Sequence, residues 1–312
     1  MENILVTDNI VKEYGKARVL DHVSIKIPAG SICGLVGRNG AGKTTLMRII
    51  TGLQEPTAGS YSIFGVNNKD KKILKVRRRI GALVDSAGLF RNLSAYDNLK
   101  LQYINLGLPS FDGIPELLKL VGLEDAGKKK AGKFSLGMRQ RLGIAIALCG
   151  EPDILVLDEP VNGLDPQGII EMRELLIRIN REKRTTILIS SHILDELNRL
   201  ATHFAFIDKG RIIEEISSEE LHSRIRRCTQ FDTEDIREMC LLLDNEGLEY
   251  ELSNTSMSVK VFDLKNISDL TLKAAQKGIA ISWIQSFDET LESYFINLIG
   301  AEGKKKKDDQ MS

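Results

Sequence analysis

The stretch GLVGRNGAGKTTL, which begins at Gly34, carries the spacing GxxxxGK[ST] at Gly37, Gly42, Lys43 and Thr44. It follows the apolar run SICGLV and precedes the helix-like run TTLMRII, which is the context that a phosphate-binding loop requires. Glycines let backbone N–H groups turn inward around phosphate oxygens, and the helix N-terminus adds partial positive charge. We therefore predict that Lys43 contacts the β- and γ-phosphates of a nucleotide and that the Thr44 hydroxyl binds Mg²⁺. The predicted phosphate-binding residues are Gly37, Arg38, Asn39, Gly40, Ala41, Gly42, Lys43, Thr44 and Thr45.

Two carboxylates, Asp158 and Glu159, stand directly after the four apolar residues of the run ILVLDEP. Such a run predicts a strand buried on both faces, and α/β sheets bind ligands at the carboxyl ends of their strands. In that place Asp158 would hold Mg²⁺ through water, and Glu159 would accept the proton of an attacking water molecule. Each acid alone is also compatible with a solvated strand end. After a phosphate loop, the pair favours nucleotide hydrolysis.

Further along the chain, FSLGMRQRL, VNGLDP and ISSH follow the phosphate loop in a fixed order. The segment from Ser135 to Gln140 resembles the LSGGQ-type signature of ABC ATPases, in the variant SLGMxQ, and the resemblance covers residues 1–217. The stretches GALVDSAGLFRNLSAYDNL, LGMRQRLGIAIAL and LESYFINLIG are similar to the ATPase subunits of bacitracin- and lantibiotic-resistance exporters. The chain thus resembles one branch of that family, whose members also carry a C-terminal extension.

The resemblance implies a head-to-tail dimer of nucleotide-binding domains that encloses two ATP molecules. In such a dimer the Ser135 hydroxyl and the Gly137 N–H of the signature, which also includes Gln140, would meet the γ-phosphate held by the partner. Asp165 in GLDP would reach across the same interface. Judged without the resemblance, Ser135 is a good N-cap for the following helix and an Asp before Pro is typical of a turn.

The roles of two further residues rest on the resemblance. His192 in ISSH would contact the γ-phosphate and the region of Glu159, and we count it with Glu159 and Lys43 as catalytic. Tyr14 in VKEYG would stack on adenine, which suits any aromatic face. Taken alone, a single His after a strand and a Tyr before Gly are more typical of structural positions.

Asp85 in GALVDS departs from the family pattern, because most ABC ATPases have glutamine at this position and the bacitracin and lantibiotic branch usually has glutamate. A carboxylate is a stronger ligand for a hard cation than an amide oxygen is. We therefore expect Asp85 to contribute to Mg²⁺ binding. Pairing with a cation of a membrane subunit and simple solvation of a loop carboxylate are the alternatives.

The elements that must position these residues are visible as strand-like runs, namely NILVTDNIV, VSIKIPAG, SICGLVG, DILVLDEP, TTILISSH and HFAFIDKG. Segments of helical periodicity separate several of them. Residues 1–217 therefore read as an α/β domain that opens with antiparallel strands and has a parallel-sheet core. By resemblance it is a phosphate-loop ABC ATPase domain, with an antiparallel β subdomain and a helical subdomain that carries the signature.

A different order of elements follows over residues 218–302. The runs RCTQF, LEYEL, SMSVKVF and IAISWIQSF predict strands, and helical segments lie between them in a β-α-β-β-α-β order. In SMSVKVF, Met257, Val259 and Val261 alternate as on a half-buried strand. This order matches a ferredoxin-like α+β accessory domain. The remaining residues 303–312 form a Lys-rich tail with little apolar content, which predicts disorder; its lysines would aid solubility or touch anionic lipid.

The composition excludes several classes. Lys plus Arg and Asp plus Glu both total 43, so no net charge recruits nucleic acid, and we expect no nucleic-acid partner. The four cysteines lack CxxC spacing and predict free thiols in a reducing compartment. Neither a signal peptide nor a membrane span is visible. These features predict a cytosolic protein, and the resemblance to exporter subunits implies that it reaches the cytoplasmic face of the membrane through a permease.

Three functional classes remain. The leading interpretation is the ATP-hydrolysing subunit of an ABC exporter. A soluble ABC ATPase acting on DNA or ribosomes is disfavoured, since only residues 86–134 separate Asp85 from the signature, without sustained heptads, and one ATPase domain is present. A nucleotide-dependent regulator with weak hydrolysis remains open because of Asp85. A GTPase is disfavoured because no NKxD motif occurs.

Overall fold

The computed structural model of the protein describes residues 2–85, 88–225, 227–252, 257–264, 266–288 and 290–308. The chain divides into two compact units. The first is Met1–Ser218 together with Glu302–Ser312, and the second is Glu219–Ala301. The break after Ser218 lies one residue beyond the boundary predicted from the sequence.

An antiparallel sheet opens the first unit. Its strands are β1 (Asn3–Tyr14), β2 (Ala17–Val23), β3 (Lys26–Pro28), β5 (Ala58–Ile63) and β6 (Val66–Asn67). Their order is β2-β1-β5-β6, and β3 pairs with β1. Inward side chains such as Leu5, Ile27 and Ile63 are fully buried and belong to the same core cluster as Leu46 and Met47. The sheet therefore supports the segment that follows the phosphate loop.

A second sheet of six strands forms the centre of this unit. Its strands are β4 (Ile32–Val36), β7 (Ile80–Leu83), β8 (Ile154–Asp158), β9 (Thr186–Ser190), β10 (His203–Asp208) and β11 (Arg211–Ser217). The order is β11-β10-β4-β9-β8-β7, and every neighbouring pair is parallel except β10 with β11. The side chains of Leu155, Val156 and Leu188 are fully buried, as expected for central parallel strands. The predicted α/β core is confirmed.

Among the described residues of the first unit, seven α-helices lie between these strands. They are α1 (Lys43–Ile50), α2 (Ile73–Arg77), α3 (Ala95–Leu106), α4 (Ile114–Leu120), α5 (Leu136–Ala147), α6 (Pro166–Lys183) and α7 (Leu194–Leu200). Because β4, β9 and β8 are parallel neighbours, the loops after them meet at one edge of the sheet. The phosphate loop follows β4, His192 lies after β9, and Glu159 lies after β8.

The second unit has the predicted ferredoxin-like order. Its elements are α8 (Ser218–Arg224), β12 (Arg227–Thr233), α9 (Ile236–Asn245), β13 (Tyr250–Leu252), β14 (Ser258–Phe262), α10 (Ile267–Gln276), β15 (Ile281–Asp288) and α11 (Leu291–Asp308). The sheet order is β13-β14-β12-β15, and all pairs are antiparallel. Val259 and Val261 are fully buried as expected, but Met257 lies before the strand and is 56% exposed.

The end of the chain differs from its prediction. Helix α11 continues to Asp308, six residues into the segment 303–312 that the composition predicts to be disordered. Ala, Glu and Lys are good helix formers, so a helix that begins at Leu291 can extend through them. Residues 309–312 lie outside the described part of the chain. Among the described residues, no helix is both long and apolar enough to cross a bilayer.

Candidate nucleotide-binding site

The phosphate loop lies between β4 and α1 and is held close to the protein core. A Cβ atom at Gly37 would lie 2.4 Å from the carbonyl oxygen of Ile207. Gly42 has a φ of 108°, and a Cβ atom there would lie 2.6 Å from Leu20 Cδ2. Both positions therefore require glycine. Helix α1 has no side-chain cap at Gly42, so its first N–H groups are available to a bound anion.

Lys43 points its ammonium group back into this loop. The Nζ atom donates to the carbonyl oxygens of Gly37, at 2.7 Å, and Arg38, at 3.3 Å, and the residue is 6% exposed. Burial lowers the pKa of Lys43, while the charges of Glu159 and Asp158 oppose that shift. The Nζ atom lies 3.9 Å from Glu159 Oε1. A phosphate entering the loop would thus meet a cation that neutral carbonyl groups hold in place.

Thr44 and Asp158 are in direct contact, although 114 positions separate them in the chain. The Thr44 hydroxyl donates to Asp158 Oδ2 at 2.7 Å. Mg²⁺ prefers oxygen ligands, and nucleotide enzymes usually hold it with one or two carboxylates and the phosphates themselves. A hydroxyl and a carboxylate beside the phosphate loop fit this set of donors.

The carboxylate of Glu159 contacts His192. Glu159 has a φ of 50°, which is unusual for a residue with a side chain. Its Oε2 atom accepts from the backbone N–H of His192 at 3.2 Å and lies 2.6 Å from His192 Nδ1. The structure therefore places the imidazole against the carboxylate that the sequence predicts to be the general base.

The signature residues and Asp165 lie at the starts of two helices. The Ser135 hydroxyl caps α5, and the Asp165 carboxylate caps α6, each accepting from the backbone N–H three residues later at 3.2 and 3.0 Å. Gly137 and Gln140 lie on α5. In the described part of the chain, no hydrogen bond joins Ser135 or Asp165 to the phosphate loop. Within one chain these two side chains serve as helix caps.

Tyr14 ends β1 and exposes its ring. The residue is 44% exposed, its hydroxyl donates to Gln54 Oε1, and the Lys12 ammonium lies 5.3 Å from the ring centroid. An exposed aromatic ring next to a cation is compatible with stacking on adenine.

Asp85 is engaged by a cation that the sequence prediction did not include. Arg48, in the last turn of α1, donates through Nε to Asp85 Oδ2 at 3.1 Å and through an Nη atom to Oδ1 at 2.5 Å. This hydrogen bonding raises the pKa of Arg48. Both carboxylate oxygens are therefore occupied by a guanidinium group. No local motif indicates this pair, because 37 residues separate the partners.

Comparisons with known proteins agree with this geometry. The family described as ABC transporter matches residues 20–162. The bacitracin transport ATP-binding protein BcrA of Bacillus licheniformis is 41% identical over 303 residues, which are 96% of this chain and 98% of that protein. BcrA of Enterococcus faecalis is 37% identical over 97% of this chain and 98% of its own length. The lantibiotic transport ATP-binding protein SrtF of Streptococcus pyogenes is 46% identical over 67% of this chain and 89% of its length.

Solved structures lead to the same family. The ATP-binding cassette MJ0796, in a dimeric post-hydrolysis state bound to ADP and Pi, matches with a TM-score of 0.63 and 26% identity, over 69% of this chain and 98% of that chain. CbiO1 from Clostridium perfringens, part of the transporter complex cbiONQ, matches with a TM-score of 0.65 and 28% identity, over 79% and 98%. The chain therefore belongs to the ATP-binding, ATP-hydrolysing subunits of ABC transporters.

Proposed function

We propose that this chain drives the export of peptide antibiotics of the bacitracin or lantibiotic type through a separate membrane permease, at the cytoplasmic face of the cell membrane. The observation that carries the proposal is the length of the similarity. The relatives named for bacitracin transport align over 96–97% of this chain, and so include the second unit as well as the ATPase unit. The alternative is a nucleotide-dependent regulator with weak hydrolysis.

We propose further that two copies pair head to tail around two ATP molecules. Ser135 and Asp165 are exposed at the starts of their helices, and a second chain is needed to bring them to a phosphate loop. The relative MJ0796 forms a dimer in its post-hydrolysis state. This arrangement would give a role to the Ser135 hydroxyl, which among the described residues makes no hydrogen bond to the phosphate loop.

Within each site, the chain's own residues divide the work. The loop N–H groups and Lys43 hold the phosphates, and the Thr44 hydroxyl and the Asp158 carboxylate would hold Mg²⁺. When bound, the ion would neutralise phosphate charge and stabilise the negative charge that develops during phosphoryl transfer. Glu159 accepts the proton of the attacking water, and His192 keeps that carboxylate oriented. A bound phosphate would draw the Lys43 ammonium group away from the carbonyl oxygens of Gly37 and Arg38. Nucleotide binding would then also change the contact between Lys43 and Glu159.

The proposed transport function is tested by expressing the chain with the membrane proteins encoded beside it in an antibiotic-sensitive host. We expect a higher inhibitory concentration of bacitracin or a lantibiotic, and no such rise when the ATPase carries Lys43→Ala. Copurification with a polytopic membrane protein is expected as well. ATP binding without resistance, turnover or copurification would favour the regulator. Copurification with ribosomes or DNA would contradict the exporter.

Asp85 remains a proposed contributor to Mg²⁺ binding, and Arg48 supplies a matched control. We expect Asp85→Asn to raise the Mg²⁺ concentration for half-maximal hydrolysis, because a carboxylate is a stronger ligand for a hard cation than an amide oxygen is. Arg48→Gln frees the same carboxylate and should leave this concentration unchanged or lower it. The measurement is ATP hydrolysis by the isolated protein against Mg²⁺. Equal effects of the two variants would mean that the pair only anchors the loop. Normal Mg²⁺ dependence with failed transport would assign Asp85 to the permease contact.

A further inference from the structure

Ser190, the last residue of β9, is fully buried between the two carboxylate residues of the site. In the sheet it pairs with Asp158 on β8 and with Leu35 on β4. Its hydroxyl donates to Asp158 Oδ1 at 2.6 Å and accepts from the backbone N–H of Glu159 at 3.0 Å. One hydroxyl group is therefore a hydrogen-bond donor to Asp158 and a hydrogen-bond acceptor from Glu159.

The contact with Glu159 is made at a residue with an unfavourable, left-handed backbone conformation. A φ of 50° is rare for a residue other than glycine and persists only when the surroundings hold it. The Glu159 N–H lies 3.0 Å from the Ser190 hydroxyl and 3.2 Å from the Ser190 carbonyl oxygen. Both acceptors belong to one residue, so Ser190 holds the main chain that aims the Glu159 carboxylate.

With the contact to Ser190, each of the two carboxylate oxygens of Asp158 accepts a hydrogen bond from a hydroxyl group. Oδ1 accepts from Ser190, and Oδ2 accepts from Thr44 at 2.7 Å. Thr44 is part of the phosphate loop, whereas Ser190 is a buried strand residue that a nucleotide would not displace. Ser190 is therefore the partner that can keep Asp158 in place while Thr44 turns to a bound ion.

We propose that Ser190 is a positioning residue for ATP hydrolysis, which fixes the metal-side carboxylate of Asp158 and the backbone of Glu159 through a single hydroxyl. This inference rests on the proposed roles of those two acids. It differs from simple burial of a serine. The adjacent Ser191 is also buried, but among the described residues its hydroxyl makes one hydrogen bond, which it accepts from the backbone N–H of Ile193 at 3.0 Å. Ser191 is thus a matched control one position away.

The test compares Ser190→Ala, Ser190→Thr and Ser191→Ala in the full chain. We expect Ser190→Ala to bind Mg²⁺-free ATP as the unaltered protein does, because the loop and Lys43 are intact. Its kcat should fall about 10- to 100-fold, the range typical when a partner of a ligand carboxylate is removed. The gain in ATP affinity on adding Mg²⁺, measured with a fluorescent ATP analogue, should shrink. Ser190→Thr should restore both properties, and Ser191→Ala should leave both unchanged.

Thermal unfolding of each variant shows whether it is folded, and Ser190→Cys replaces Ser190→Thr if the extra methyl group is not accommodated. Unchanged kcat and Mg²⁺ response in Ser190→Ala overturn the proposal, as do equal losses in Ser190→Ala and Ser191→Ala. Failure of the proposed site itself has a different signature, since Glu159→Gln would then hydrolyse ATP normally. If Glu159→Gln is inactive while Ser190→Ala is normal, the site is right and the positioning role is wrong.

Discussion

Lys43→Ala is expected to abolish high-affinity nucleotide binding and, with it, hydrolysis. Hydrogen bonds to charged groups contribute ~1.5–3 kcal/mol each, so losing the predicted contacts with both the β- and the γ-phosphate should weaken ATP binding by about 100-fold or more. The structure adds a reason for a large effect. Lys43 is buried in the loop and held by the carbonyl oxygens of Gly37 and Arg38, so its ammonium group is already positioned inside the loop before a phosphate binds. Equilibrium titration with a fluorescent ATP analogue measures the affinity.

The matched control is Lys119→Ala, which removes an exposed lysine from α4, away from the phosphate loop. It should bind ATP like the unaltered protein. The melting temperature of Lys43→Ala without nucleotide should be close to that of the parent, whereas the stabilisation that ATP gives the parent should disappear. Full affinity and turnover in Lys43→Ala would remove the basis for the phosphate-loop assignment.

The sequence was sufficient for the parts of the site that depend on local patterns. Four apolar residues before Asp158 predict a buried strand with a carboxylate at its end, and β8 ends at that residue. Glycine spacing predicts a tight turn before a helix, and the strain a Cβ atom would meet at Gly37 and Gly42 agrees with this. The runs of the second unit likewise predicted the order of its strands and helices along the chain. In each case the signal is local to the segments that form the elements.

Contacts between distant segments were not predictable in the same way. Ser190 meets Asp158 because β9 lies beside β8, and chain order alone does not fix that neighbour relation. Arg48 meets Asp85 because α1 and the segment after β7 come together in the fold. Asp85 and Ser190 lie in stretches that the sequence singles out, but neither stretch indicates which distant residue its side chain contacts. The left-handed backbone of Glu159 was also missed, because nothing in the residue type indicates it.

Glu159→Gln is expected to bind ATP, to form a stable dimer with it, and to hydrolyse it about 10²–10⁴-fold more slowly than the unaltered protein, the range typical of general base catalysis. An amide keeps the shape of the carboxylate and can still accept from the backbone N–H of His192, so the local geometry should survive. It cannot take a proton from water. Removing the negative charge that lies 3.9 Å from the Lys43 ammonium also leaves that cation free for phosphate, which should strengthen ATP binding.

Size-exclusion chromatography at saturating ATP tests this expectation, with Glu182→Gln as the control for loss of an exposed carboxylate on α6. We expect the Glu159→Gln protein to elute as a dimer and the unaltered and Glu182→Gln proteins to elute mostly as monomers, because their ATP is hydrolysed. Adding Ser135→Ala to Glu159→Gln should return it to the monomer, since the signature serine would act on the nucleotide of the partner. A Glu159→Gln protein that stays monomeric, or that hydrolyses ATP at the parent rate, would show that Glu159 is not the base. A dimer that survives Ser135→Ala would place the interface elsewhere than at the signature.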